Sequence, residues 1–490
     1  YSMRFYLLII SLFMFFSCKK NLDNANIIIF IADDVSWDDL GCYGNLDVKT
    51  PNIDELAKNG IVFKNTFLTT SSCSPSRNSI LTGRYPHNTG AAELHTEPPV
   101  EMISLPEILK NNGYYTIQAG KFHLGEYAKR GFNKVFEDRK NNGLGGEELW
   151  INVIENRPKN IPFFIWFASY DAHRGWGKND FSGTHIPQDI KVPKYLVDSK
   201  LTRKDLSNYY DEITRFDHYI GEVVKKLKNQ NVFDDTMIII MADNGRPFPH
   251  SKTRLNDQGV KTPFIIHYPP IKSKLNYSES LISSIDIAPT IIDMIKINKV
   301  ESFQGKSFLD VIKNPKKKFR NYVFAEHNWH DYESHQRMVR NKDFLYIRNS
   351  RNQFMQEGPL DALNSPSYID LKNGQKDKTL TDSQSEIFTN PRPKEELYDL
   401  AVDPYQFNNL LNNVNKDNIP DIYLKLYNIL DRWIIDTGDN IPINITRDWY
   451  FRDLDKLNES SSSKTNYHGI RGEMPGKSLN AVKNNNKGPF

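Results

Sequence analysis

Three short apolar runs, "NIIIFIADD", "FFIWFASYDAH" and "TMIIIMADNG", constrain this chain more than any other feature. Each passes directly from core-type residues into groups that bind metals or protons. The first ends at Asp33 and Asp34, the second at Asp171 and His173, the third at Asp243 and Asn244. Continuous runs rich in Ile and Phe read as strands covered on both faces, the setting of a largely parallel sheet in an α/β domain. Open sheets of this kind bind ligands beyond the carboxyl ends of their strands. One Asp after a strand is as readily a turn or helix-cap residue, but three such endings predict one composite site.

Amphipathic helices fill the intervals. In "LSNYYDEITRFDHYIGEVVKKLKN", Leu206, Tyr210, Ile213, Phe216, Ile220, Val223 and Leu227 recur at three- and four-residue spacing, which predicts a helix packed on the sheet. Beyond about residue 330 the pieces become shorter, more polar and strand-like, as in "DFLYIRNS" and "EELYDLAVDP". With 490 residues there is room for a large domain and a smaller one, each with its own core. The expected organisation is a signal segment over 1–18, an N-terminal domain over 24–330 holding the composite site, a C-terminal subdomain over 331–445 and an irregular polar tail over 446–490.

The formal net charge is only +3, and no basic run is interleaved with stacking aromatics, so nucleic acid is excluded as a partner class. At the N-terminus, Met3 and Arg4 precede "FYLLIISLFMFFS", followed by Cys18, Lys19 and Lys20. This run is short for a membrane span and has the shape of an export signal. Two readings stand: a lipobox-like signal in which Cys18 is lipidated, or a plain cleaved signal. Both place the protein outside the cytoplasm, in the periplasm or at the cell surface, touching a membrane only through a lipid anchor. Of three cysteines in all, Cys42 and Cys73 then remain, too few for a disulfide framework. Cys42 reads as a small buried hydrophobe.

Cys73 opens "CSPSR". A helix starting at Pro75 with Ser74 as N-cap places residue 73 beside free backbone N–H groups, where an anion is stabilised. Arg77, one turn on, adds a fork of donors suited to an oxyanion. A thiolate nucleophile is one reading of this cysteine. It pairs oddly with Asp33, Asp34, Asp243 and Asn244, which are hard oxygen donors suited to Ca²⁺ or Mg²⁺ and not to zinc. His123 in "GKFHLG" reads alone as either a buried or a catalytic histidine.

"CSPSR" followed by "NSILTGRY" resembles the signature of the type I sulfatases, in which the cysteine is converted after translation to formylglycine (3-oxoalanine). "IADDVSWDDLGCYGN", "TPNIDELAKNGIVF", "AGKFHLG", "MADNG", "GVKTPFIIHYP", "SSIDIAPTIIDM" and "ELYDLAVDPYQFNNL" resemble further segments of that family in the expected order. The resemblance implies an alkaline-phosphatase-like α/β/α sandwich with a smaller C-terminal domain built on a short antiparallel sheet. It implies one Ca²⁺ held by Asp33, Asp34, Asp243, Asn244 and the modified residue 73. It also implies that the hydrated aldehyde attacks sulfur in line, that His123 then deprotonates the second hydroxyl so that sulfate leaves, and that Arg77 and Lys121 hold the sulfuryl charge. His173 and Lys252 match the pair on the leaving-group side, although Arg254 lies two residues from Lys252 and either suits a sulfate. Asp257, Gln258 and Gly259 stand where the family has Glu-Gly-Gly.

The loops "DNGRPFPHSKT" and "YDAHRGWG" are similar to those of heparan N-sulfatase and its bacterial relatives, which implies a sulfated polysaccharide or oligosaccharide substrate, an algal polymer such as ulvan or a glycosaminoglycan. Lys252, where the N-sulfatase is expected to carry Arg, leaves O- and N-sulfate both open. The implied partners are that substrate and a formylglycine-generating enzyme. Arg174 and Trp176 are either contacts for a charged sugar or loop residues. His327 and His330, in "AEHNWHDYESHQ", have no standard zinc spacing and are candidate substrate contacts. An N-sulfoglucosamine sulfohydrolase, a phosphoester or phosphonate hydrolase on the same scaffold, and a glycan-binding lipoprotein without turnover are the competing functions.

Overall fold

The computed structural model describes residues 24–271, 275–356, 358–412, 420–442, 446, 448 and 479–490. The segment 1–18, with Cys18, lies outside the described residues, as does most of the tail expected over 446–490. Among the described residues, no helix is long and apolar enough to cross a membrane.

Eight strands form the central sheet: β1 (Asn26–Ala32), β2 (Ile61–Phe67), β3 (Tyr115–Gly120), β4 (Lys134–Phe136), β5 (Phe163–Ala168), β6 (Thr236–Ala242), β7 (Phe264–His267) and β8 (Tyr277–Ser283). Their order is β4-β3-β5-β1-β6-β7-β2-β8, and only β7 runs against the rest. The three apolar runs are therefore neighbours, with Ile28 of β1 in register with Ile165 of β5 and Ile238 of β6. Their continuous hydrophobicity has a direct cause. Ile27, Ile29 and Ile31 enter one core while Ile28 and Phe30 enter the other, so successive side chains of β1 are buried on opposite faces. The helix Lys200–Asn229 covers the second face with the apolar stripe read from the sequence, and the helices Leu105–Asn111 and Ile287–Met294 cover the first.

A second, antiparallel sheet of β9 (Val323–His330), β10 (Tyr332–Arg340), β11 (Phe344–Asn349) and β12 (Glu395–Asp399) has the order β12-β11-β10-β9. The helix Asp421–Thr437 covers it, with Trp433 stacked on Phe324 at 5.2 Å. The layers are thus an α/β/α sandwich with a smaller antiparallel sheet. This sheet opens at Val323, ahead of residue 331. Between β11 and β12 the chain returns to the large domain, where Tyr368 and Leu371 of the helix Pro366–Asp377 pack beside the helix Lys200–Asn229. Residues 479–490 also return, and supply acceptors to Arg84.

Candidate active site

The carboxyl ends of β1, β5 and β6 are tied together by their backbones. Asp33 N–H donates to Asp171 O at 2.7 Å, Asp243 N–H to Ala32 O at 3.1 Å, and Asp34 N–H to the Asp243 carboxylate at 3.2 Å. Asp33, Asp34 and Asp243 are completely buried as a result. Two glycines permit this approach. A Cβ on Gly245 would lie 2.0 Å from Gln258 O, and one on Gly120, at φ +96, would lie 1.9 Å from Ala168 O. Gly120 ends β3 and turns the chain so that Lys121 and His123 reach the same rim.

The helix carrying residue 73 runs from Cys73 to Thr82, two residues ahead of the start expected at Pro75, with Ser72 in the cap position. The reason is local. Pro75 falls within the first turn, whose N–H groups have no partner inside the helix, so its missing donor costs nothing there. Ser74, expected as the cap, instead accepts a hydrogen bond from His95 N–H at 2.9 Å. Cys73 is therefore the first helical residue, and its Sγ lies 3.6 Å from Asp33 Oδ1 and 3.9 Å from Asp34 Oδ1.

Cations surround these acids. Arg77 Nε donates to Asp243 at 2.7 Å, Lys121 donates to Asp33, and Lys252 Nζ lies 2.7 Å from Asp34 Oδ2. Burial alone would raise the Asp33 carboxyl, but Lys121, His173 and Arg77 hold it below the ordinary carboxylate value. Burial would likewise discharge Lys121 and Lys252, yet their acid partners hold both ammonium groups charged. Burial pushes the Cys73 thiol well above its ordinary value despite Lys121 and Lys252, which favours the protonated thiol over the thiolate in the unmodified chain. His123 is driven well below the ordinary imidazole value by burial and then by Lys121, and is neutral at neutral pH.

The donor set fits a hard divalent cation. Asp33, Asp34 and residue 73 present ligand atoms within 4.8 Å of one another, and Asn244 Oδ1 is buried without a hydrogen-bond partner.

A cavity of about 650 Å³ opens onto Cys73 and is lined by Lys121, His123, His173, Lys252 and His330 among others. His330 is further held by Ser72 Oγ, 2.8 Å from its Nδ1. The choice between Lys252 and Arg254 falls to Lys252 on position, because Arg254 is bonded to Gln356 at 2.8 Å, away from the cavity lining. Two candidate substrate contacts lie outside the cavity lining. Arg174 is not in the cavity wall: both its terminal nitrogens bind Asp205, at 2.8 and 2.9 Å, and its guanidinium packs against both Trp176 and Phe248. His327 is buried behind the wall, where burial and then Arg254 lower its pKa to about 3. Two wall residues carried no motif in the sequence. His95 Nδ1 lies 2.8 Å from His123 Nε2, and Asp361 Oδ2 lies 3.2 Å from Lys252 Nζ and 3.6 Å from His173 Nε2. Both come from segments distant in sequence from the strand endings, so only the folded chain brings them in.

With this geometry in hand, the profile of the family "Sulfatase" matches residues 25–297. The chain belongs to the sulfatase family. A second profile, for the C-terminal part of N-sulphoglucosamine sulphohydrolase, matches residues 250–386. An ulvan-active sulfatase of Formosa agariphila is 29% identical to this sulfatase over 467 residues, covering 86% of this chain and 76% of the relative. The human N-sulphoglucosamine sulphohydrolase is 27% identical over 444 residues, covering 80% and 86%. A solved structure of a protein in complex with its substrate D-glucosamine-2-N,6-O-disulfate superposes with a TM-score of 0.66 at 20% identity, covering 85% of this chain and 99% of that one. The fold is accordingly the alkaline-phosphatase-like one expected, and this sulfatase is a sulfuric ester hydrolase.

Proposed function

We propose that this sulfatase removes sulfate groups from a sulfated glycan or its oligosaccharides, with residue 73 acting as formylglycine beside one Ca²⁺. The observation that carries the reading is residue 73 itself, at the floor of a sugar-sized cavity, against two buried carboxylates and within a ring of three cations. Asp33, Asp34, Asp243 and Asn244 would hold the Ca²⁺ together with residue 73, and the ion would supply Lewis-acid stabilisation of sulfuryl oxygens. The hydrated aldehyde would supply the oxygen nucleophile that a protonated thiol cannot. Arg77, whose Nη2 is buried without a hydrogen-bond partner, and Lys121 offer fixed positive charge to the sulfuryl oxygens. His123, neutral and hydrogen-bonded to His95, accepts the proton released as sulfate departs. His173 and Lys252, which meet at Asp361, serve the leaving oxygen or nitrogen. The names of the relatives support a polysaccharide substrate, and export through a lipid-anchored or plain signal accords with a polymer too large to enter the cell.

Mass spectrometry of the residue-73 peptide, from protein made with a formylglycine-generating enzyme, is expected to show a loss of about 18 Da against the thiol form. The same preparation is expected to release sulfate from a sulfated-glycan panel and to cleave nitrophenyl sulfate faster than nitrophenyl phosphate, while Cys73→Ala releases none. A modified protein inactive on every sulfated glycan overturns the reading.

A further inference from the structure

The cavity lining pairs its cations with one acid that the sequence did not single out. Lys121 and Lys252 line the cavity beside Cys73, with Arg77 buried behind it, whereas Asp361 stands beside His173 and Lys252. Asp361 comes from the short helix Leu360–Leu363 in the return segment between β11 and β12, outside every motif of the sequence. Its position is fixed on both oxygens: Oδ1 accepts the Ala362 N–H at 2.7 Å, and Oδ2 faces Lys252 and His173. Its side chain keeps 19% of its surface exposed, toward the cavity it lines. Lys252 and His173 both hold this carboxylate ionised, and Lys252 is at the same time shared with Asp34.

Lys252 is thus shared between Asp361 and Asp34, and Asp361 keeps acceptor capacity toward the cavity for whatever carries the scissile sulfate. We propose that Asp361 is the specificity residue of the leaving-group half of the site. It accepts hydrogen bonds from a hydroxyl or ammonium group on the sulfated sugar, and it rejects a sugar whose own carboxylate stands one ring away from the sulfate. The substrate unit at this position is then a neutral or amino sugar and not a uronate. This inference rests on the glycan-sulfatase reading above and narrows it. A like charge brought against a fixed carboxylate in a desolvated cavity is discriminated strongly, and a hydroxyl that pairs with it is bound.

The test uses the formylglycine-bearing full chain with monosulfates of glucose, glucosamine and glucuronate, matched for each sulfated ring position. Glucose and glucuronate sulfates differ only in the carboxylate. The wild type is expected to prefer the glucose and glucosamine sulfates by at least about tenfold in kcat/KM. Asp361→Asn is expected to collapse that ratio toward one, whatever loss it causes on all substrates together, and Asp361→Glu to retain it. A simple loss of support for Lys252 would lower every rate alike without moving the ratio. Equal wild-type rates on the glucose and glucuronate sulfates, or a preference that survives Asp361→Asn, overturns the proposal and leaves the sulfatase reading intact. Absence of release from every sugar sulfate overturns both.

Discussion

His123 shows how one side chain acquires a function from its surroundings. Its imidazole is buried, with Lys121, Arg77 and His95 nearby, and each of these disfavours a second positive charge. The folded value therefore lies below the ordinary one near 6.5. The proton-accepting form is the neutral one, so activity is lost as pH falls through the depressed value and not above it. The acid limb of kcat/KM is expected below pH 6.5, and His123→Ala is expected to lower kcat by about 10²- to 10⁴-fold, read from initial rates across a pH series. The carboxylates make a second prediction at this scale. Asp33, Asp34 and Asp243 are buried at the meeting of three strand ends, and the repulsion among them is relieved by any bound divalent ion. Chelation is expected to remove activity and to lower Tm, with Ca²⁺ at one hundred times its Kd restoring about 2.7 kcal/mol of stability in a thermal melt. Asp34→Asn should blunt that Ca²⁺-dependent shift. The acids, the amide, Cys73 and Arg77 were all legible from sequence, because strand endings and a helix start leave local patterns. His95 and Asp361 were not, since each reaches the cavity from a segment whose local sequence says nothing about where it lands.

The helix Lys200–Asn229 does more than cover the sheet. Its polar side grips the loop after β5, where Arg215 holds Asp171 through two hydrogen bonds and Asp205 holds Arg174 through two more. That loop carries His173, so the position of the leaving-group wall depends on an element whose sequence advertises only a core stripe. The side chains of Arg215 and Asp171 are 8% and 3% exposed, so breaking their pair leaves an uncompensated buried charge. Arg215→Ala is expected to lose about 3–5 kcal/mol in denaturant unfolding and to raise KM along with lowering kcat. The Arg174–Asp205 pair is buried to the same degree and is also packed on two aromatic rings, so Arg174→Ala is expected to cost a similar amount. If Arg174 touched substrate instead, its removal would change KM with little change in stability. The sequence made the apolar face of this helix plain through its spacing, but a charged residue on the other face looks solvated whether it is or not. This is why the sequence leaves Arg174 open between a sugar contact and a loop residue. The same limit applies to the early start of the helix at Cys73, because Pro and Ser fit several positions of a first turn.

At the scale of the molecule, the large domain is closed by parts of the chain far from it in sequence. The helix Pro366–Asp377 packs on the face of the sheet sandwich, and residues 479–490 run back along the other side. The second contact has a charged centre. Arg84 is 1% exposed, and its guanidinium donates to Asn88 O at 2.8 Å, to Asn485 Oδ1 at 2.6 Å, to Asn484 O at 2.7 Å and to Val482 O at 3.1 Å. Most of these acceptors belong to the returning segment. Burial lowers the pKa of Arg84 to about 10, and amide and carbonyl dipoles hold its charge. Phe490 adds an edge contact to Phe319 at 5.0 Å and a ring face to Lys306 at 3.5 Å. Deleting residues 479–490 would strip this guanidinium of three of its acceptors, each hydrogen bond to the charged group being worth about 1.5–3 kcal/mol. Because Arg84 follows the helix that starts at residue 73, the loss is expected to reach the site: a lower Tm and a lower kcat together, measured on the same preparation. Arg84→Met in the truncated chain removes the unpaired charge and should recover part of the Tm. A truncated chain with unchanged Tm would mean that the returning segment rests on the domain without stabilising it.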